Sequence, residues 1–291
     1  MTDTTTGHLA LSDRRQLAFH DFGSGENGIW IHCHGIPGSR AELSHLEANL
    51  VGAGIRVVIP DRPGYGESSP VEGYNFLTHS QDLVALADHL GIERFSVSGF
   101  SGGGVFALSA APNLGHRIEQ LTLAGTPAAP LLENPLEHVS ELTASAWQAA
   151  ENSPAPLAIM LESLTESHQQ LAEAMLNATD EQDRDYLKAG HILPGIKRNM
   201  KAAVAQGASV SASAMARDTF LITEQWPVTL RSPGTSTRLI HGARDALIHC
   251  THLRALKAWM PGARTEIIRD IGHYSSLPLI WHLQSMDVSI L

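Results

Sequence analysis

Up to about residue 125 the chain alternates short β-branched runs with stretches of helical periodicity, the order that folds into a mostly parallel sheet covered by helices on both faces. Residues 16–22, 29–34, 56–60, 95–100 and 118–125 read as strands; 42–50, 78–90 and the small-residue run 102–111 read as helices between them. The alternation then stops. From Thr126 to Trp226 the texture is Ala, Leu, Glu, Gln and Met at helical spacing, punctuated by Pro130, Pro135, Pro154, Pro156 and Pro194, with no β-branched run long enough for a central strand. It resumes with a strand at 237–241, a helix at 252–260, a strand at 265–271 and a last helix around 277–284. The expected fold class is therefore α/β: a mostly parallel central sheet with flanking helices, built from residues 1–126 and 227–291 around a helical insertion at 127–226.

The composition removes several function classes. With 291 residues, 43% apolar and 17% charged, the chain is neither disordered nor fibrous. Lys+Arg 20 against Asp+Glu 30 gives −10, so nucleic acid and anionic membranes would meet net repulsion. No run approaches the roughly 18 apolar residues of a membrane span, and the first residues lack a basic stretch followed by an apolar one. A cytoplasmic protein is expected. Cys33 and Cys250 are too few for a disulfide framework and too far apart for a CxxC motif, leaving a single bridge between them as the only pairing. The expected partners are a small-molecule substrate and, at most, a second copy of the chain.

The chemistry gathers around Gly99-Phe100-Ser101-Gly102-Gly103, a G-x-S-x-G pattern set between an expected strand and an expected helix. A serine there sits on a sharp, strained turn, and its neighbours are glycine because a Cβ would collide with the adjacent elements. Ser101 is thus the candidate nucleophile. Its base and the orienting acid belong on loops after later strands, in the order Ser, Asp, His. Asp245, after strand 237–241, and His273, behind Gly272 after the last strand, fill those places; Asp270 competes for the acid but lies within the strand. The oxyanion donors would be the amides of Gly102 and of Ile36, since Pro37 has no N–H.

With these segments in place the sequence resembles the α/β-hydrolase family. The resemblance rests on His34-Gly35-Ile36-Pro37-Gly38, on Asp61-Arg62-Pro63-Gly64-Tyr65-Gly66-Glu67-Ser68, on the turn at 99–103, on Gly242-Ala243-Arg244-Asp245 and on Gly272-His273. It implies that 127–226 is a cap inserted after the sixth core strand and roofing the site, and that 61–68 is a structural loop nearby. The family also contains aspartate-nucleophile dehalogenases and epoxide hydrolases; a serine at 101 argues against those.

His32 and His34 form an H-x-H on one strand face, but Ile36-Pro37-Gly38 follows where a metallo-hydrolase continues with further ligands, so neither a metal nor an organic cofactor is expected. His34 reads as a residue that fixes its loop and His32 as a core or edge histidine. The function expected is a serine hydrolase cleaving a small or medium, mainly apolar ester or lactone through an acyl-enzyme. A C–C bond hydrolase, an amidase or a proline iminopeptidase would use the same triad, and a non-catalytic ligand-binding protein is the remaining alternative. An aminopeptidase would want carboxylates from the set Glu133, Glu137, Glu162, Glu166, Glu173 and Glu224, which at helical spacing read better as a solvated face. Phe100 beside the nucleophile, with Trp147, Met160 and Phe220 from the insertion, are the substrate-binding candidates; Met160, Met175 and Met200 suit a pocket that adapts to apolar groups.

Overall fold

The computed structural model describes residues 4–282, apart from 191, 225 and 227–233. Its frame is one eight-stranded sheet in the order β1-β2-β4-β3-β5-β6-β7-β8. The strands are β1 (Thr5–Ala10), β2 (Gln16–Phe22), β3 (Ile29–Cys33), β4 (Arg56–Pro60), β5 (Phe95–Phe100), β6 (Ile118–Ala124), β7 (Ser236–Gly242) and β8 (Arg264–Ile268). β1–β2 and β2–β4 pair antiparallel, and all the others parallel.

All six residues of the central β5 are buried, which is why it reads as a continuous run rather than an alternation. On β4 the two faces separate residue by residue. Val58 joins Ile31, Val97 and Phe106 under one layer of helices, whereas Val57 and Ile59 join Phe22, Leu50 and Trp281 under the other. The first layer contains α2 (Phe76–His89), α3 (Gly102–Leu114) and α10 (Thr251–Trp259); the second contains the short α1 (Glu47–Gly52) and a 3-10 run, Tyr274–Trp281. α2 starts where it does because the Asn75 side chain accepts the amides of Leu77 and Thr78 at 3.0 and 3.1 Å.

Between β6 and β7 lie α4 (Glu141–Ala150), α5 (Ala155–Thr165), α6 (His168–Asn177), α7 (Glu181–Lys188), α8 (Ile192–Ala203) and α9 (Ala208–Thr223), with no named strand among the described residues of that segment. Side chains of Ser140, Ser167 and Asp180 cap α4, α6 and α7. α5 packs along α9, α6 against α8, and α9 reaches back to α3. Among the described residues no helix is long and apolar enough to cross a membrane.

Four elements differ from expectation. β8 stops at Ile268, where its pairing with β7 ends at Gly242, so Asp270 lies in the turn after the strand and not within it. β1 is unforeseen because no apolar face marks it; it exists by pairing with β2, where the Phe19 ring fills the space a Cβ on Gly7 would take. The helix expected at 42–50 is turns up to Leu46 and a helix only from Glu47, because Glu42 is drawn inward and buried. The terminal α-helix is a 3-10 run instead, with Pro278 inside it and His282 left-handed at φ 56° after it; residues 283 and 284 lie outside the described residues.

Candidate active site

β5 ends at Phe100 and α3 begins at Gly102, so Ser101 carries the whole change of direction, at φ 53° and ψ −131°. For a residue with a Cβ this conformation costs about 1–3 kcal/mol. It is held from both sides: the Ser101 N–H donates to the Ala124 carbonyl at 2.8 Å, and the Ser101 carbonyl accepts the Gly104 N–H at 2.9 Å. The glycines are steric necessities. A Cβ on Gly99 would stand 2.4 Å from the Gly103 carbonyl oxygen, and one on Gly103 would stand 2.1 Å from that of Cys33.

The loops after β7 and β8 cross-brace one another: the Ala243 amide donates to the Ile268 carbonyl at 2.8 Å and the Arg244 amide to that of Ile271 at 3.0 Å. The crossing brings His273 Nδ1 to 2.7 Å from Asp245 Oδ2, with both groups buried. Asp245 Oδ1 accepts the amides of Leu247 and Ile248 at 3.0 and 2.8 Å, and His241 Nε2 lies 3.1 Å from Oδ2. Burial alone would raise the Asp245 pKa, but the charge of His273 and the bonds from His241 and His273 outweigh it and hold the carboxyl well below its usual range. For His273 burial favours the neutral ring, yet Asp245, Asp183 and Glu42 together raise its pKa above 6.5. Asp270, the competing acid, is 66% exposed and faces Arg244 at 3.6 Å. The glycine before His273 serves closeness rather than a left-handed turn: a Cβ there would lie 2.5 Å from Asp183 Cγ.

Ile36 and Gly102 line the same cavity as Ser101 and His273, and Ile36 Cδ1 would touch a Cβ at position 102 at 2.6 Å. The Ile36 loop is fixed from beneath. Glu42 Oε1 accepts the Gly35 amide at 2.9 Å, and Oε2 meets His32 Nε2 at 2.9 Å while His32 Nδ1 meets the Ser98 hydroxyl at 2.8 Å. His34 donates from Nδ1 to the Gly35 carbonyl at 2.9 Å and accepts the Arg62 amide on Nε2 at 3.2 Å. Burial, helped by the Arg62 charge, pushes its pKa well down and keeps it neutral. The buried Arg62 guanidinium donates to the carbonyls of His34 and Gly35 and pairs with Asp218 of α9 at 2.6 Å. All four ring nitrogens of the H-x-H pair thus have partners inside the fold. Cys33 and Cys250 are separate, buried thiols, and burial pushes Cys33 up to about 12.

The cavity over Ser101 measures about 120 Å³. Its walls are Leu, Ile, Met, Ala and Pro with Trp147, Thr143 and Thr219, and among the described residues no Lys, Arg, Asp or Glu lines it. Of the substrate-binding candidates Trp147 is in the wall, together with Met175. The other three need correction. On α5 the cavity face is Leu157, Leu161 and Leu164, and Met160 falls to the solvent side at 56% exposure. On α9 the cavity face is Met215, Thr219 and Ile222, so Phe220 packs sideways against Ala150, Leu157 and Ala216. Phe100 is buried beneath His273, ring centroids 4.8 Å apart, and borders only a void of about 20 Å³. Glu133, Glu137 and Glu224 border a separate surface groove on the far side of Trp147. Sequence reasoning missed Glu42, Arg62, Asp183 and Asp218; of these only Arg62 lay in a segment it had singled out.

Residues 31–278 match the profile of a family described as alpha/beta hydrolase fold. Over 274 residues the chain is 24% identical to 2-hydroxymuconate semialdehyde hydrolase of Pseudomonas putida, covering 92% of this chain and 87% of that protein. Over 127 residues, 43% of this chain, it is 30% identical to bifunctional epoxide hydrolase 2 of Sus scrofa, of whose length the match spans only 22%. The crystal structure of the enol-lactonase from Burkholderia xenovorans LB400 superposes with a TM-score of 0.66 at 20% identity, covering 94% of each chain, a likeness of fold.

Proposed function

The chain belongs to the alpha/beta hydrolase family, and from that premise we propose that it is a serine hydrolase cleaving a small, neutral, mainly apolar carboxylic ester or lactone, with residues 127–226 as the cap over its site. The observation that carries this reading is the buried His273–Asp245 pair beside the strained Ser101, at the floor of a cavity that no Lys, Arg, Asp or Glu lines among the described residues. His273 takes the Ser101 proton as Oγ attacks the ester carbon, and the carbonyl electron pair moves onto oxygen, facing the amides of Gly102 and Ile36. Collapse breaks the C–O bond, and the imidazolium returns the proton to the leaving alkoxide. Water then attacks the acyl-enzyme by the same route and frees the acid.

A second reading, C–C bond hydrolysis by the same residues, is favoured by the Pseudomonas putida relative. Its named substrate, a muconate semialdehyde, carries a carboxylate, and among the described residues no Lys or Arg lines the cavity to receive one. An aminopeptidase reading loses support because none of the six glutamates considered for it borders the cavity. The serine at 101 likewise distances this chain from an epoxide hydrolase.

The volume favours short acyl groups: roughly 150 Å³ of apolar space admits a benzene, so a cavity of about 120 Å³ holds about five carbons. Fluorophosphonate labelling of wild type and Ser101→Ala, followed by kcat/KM for esters of graded acyl length, lactones and a carboxylate-bearing vinylogous diketone, tests the reading. Labelling lost in Ser101→Ala and specificity greatest for short acyl esters are expected. A maximum on the diketone would replace esterase by C–C hydrolase, and values climbing past about twelve carbons would point to a lipase-like groove.

A further inference from the structure

One buried carboxylate of the insertion reaches the turn that carries His273. Asp183 stands on α7, its own amide donated to the Asp180 cap at 2.7 Å, and is 1% exposed. Its Oδ2 accepts the Tyr274 amide at 2.7 Å; its Oδ1 accepts the Ser275 amide at 3.0 Å and the Ser275 hydroxyl at 2.7 Å. The Ser275 oxygen in turn accepts the Gly272 amide at 2.9 Å. The residues on both sides of His273 are therefore tied to one carboxylate belonging to another part of the chain. Asp183 acts as the N-terminal cap of the 3-10 run Tyr274–Trp281, satisfying amides that the run itself leaves unpaired. The contact fits only because residue 272 has no side chain.

We propose that Asp183 is a positioning residue for His273, so that the imidazole is aimed at Ser101 only while α7 is docked on the core. This rests on His273 being the general base. Were the insertion to lift, the turn at 272–275 would lose three hydrogen bonds and the ring would lose a nearby negative charge. The charged groups facing His273 are Asp245 from the loop after β7, Glu42 from the loop after β3 and Asp183 from α7, with His241 behind Asp245; the phenols of Tyr274 and Tyr186 border Asp183. All three carboxylates act in one direction, keeping the protonated ring stable. Removing one must make the ring a weaker base.

The test compares wild type, Asp183→Asn, Ser275→Ala and Gln206→Ala. Gln206 also joins the insertion to the core, donating to the carbonyls of Gly66 and Ser68 at 3.0 Å, but on the loop after β4. Readouts are kcat/KM for a neutral ester across pH, the fluorophosphonate labelling rate, thermal unfolding, and an NMR titration of the His273 imidazole that needs no substrate. Asp183→Asn is expected to lower kcat/KM at least tenfold and to move both the acidic limb and the imidazole titration to lower pH by roughly half a unit or more. Ser275→Ala keeps the carboxylate, so it should slow labelling severalfold and leave the limb in place. Gln206→Ala should change neither by more than about twofold. An unmoved titration in a folded Asp183→Asn overturns the proposal; should that variant not fold, wild-type labelling in Ser275→Ala overturns it. A wild type inert to the label and to every ester refutes instead the hydrolase reading on which the proposal rests.

Discussion

Asp245→Asn separates an orienting acid from a merely structural one, and the structure gives both its mechanism and its size. Oδ1 receives two amides, from Leu247 and Ile248 at 3.0 and 2.8 Å, so in the variant this position must keep the carboxamide oxygen. The NH2 group is then forced to the Oδ2 position, 2.7 Å from His273 Nδ1. Two donors cannot face each other there, so the imidazole carries its proton on Nε2 and presents an N–H to Ser101 where a lone pair is needed. A wrong tautomer of this kind costs about 10⁴ in kcat in the chymotrypsin-type triad, or about 5.5 kcal/mol of barrier. A loss of roughly 10³–10⁴ in kcat/KM is expected here, measured on a short activated ester alongside the labelling rate. Asp270→Asn, at an exposed carboxylate facing Arg244, should stay within about twofold. If Asp245→Asn kept more than about a tenth of the activity while Asp270→Asn collapsed, the acid assignment and the tautomer argument would both fall.

Ser101→Gly should abolish labelling and raise stability by about 1 kcal/mol in urea unfolding, because glycine relieves the strain at φ 53°; lowered stability would contradict a strained serine. Only the neutral imidazole accepts the Ser101 proton, and its pKa is raised above 6.5, so kcat/KM should climb with pH through an apparent pKa above that value and be lost below it. A flat profile from about pH 5 to 9 with chemistry rate-limiting would count against a histidine base. Activity should survive EDTA, since His32 and His34 spend their ring nitrogens on Ser98, Glu42, Gly35 and Arg62; zinc-restored activity after chelation would reopen that pair as a metal site.

Where local rules operate, the chain could be read directly. The period of each strand, the glycines around Ser101 and the positions of Asp245 and His273 just after strands are matters of neighbouring residues and backbone sterics, and the observed bounds of β2, β4 and β5 are those the pattern implies. Helix phase was legible only in part: residues 127–226 read as helical as a whole, but which face of α5 or α9 borders the cavity depends on what each packs against. Met160 and Phe220 therefore looked as suitable as Met175, whose side chain does line it.

The supports of the site belong to tertiary structure alone. Asp183 sits in Glu181-Gln182-Asp183-Arg184-Asp185, a stretch indistinguishable in sequence from a solvated helix face, yet it is buried because a turn 91 residues away offers it a backbone amide. Arg62 and Asp218, 156 residues apart, pair at 2.6 Å between the core and the insertion. A buried charge is tolerable only when its partners are in place. Those partners come from segments that meet only after folding: the strands from β2 onward, the strained serine and its turn follow from neighbouring residues, whereas β1 and the charges that hold the site were decided by packing.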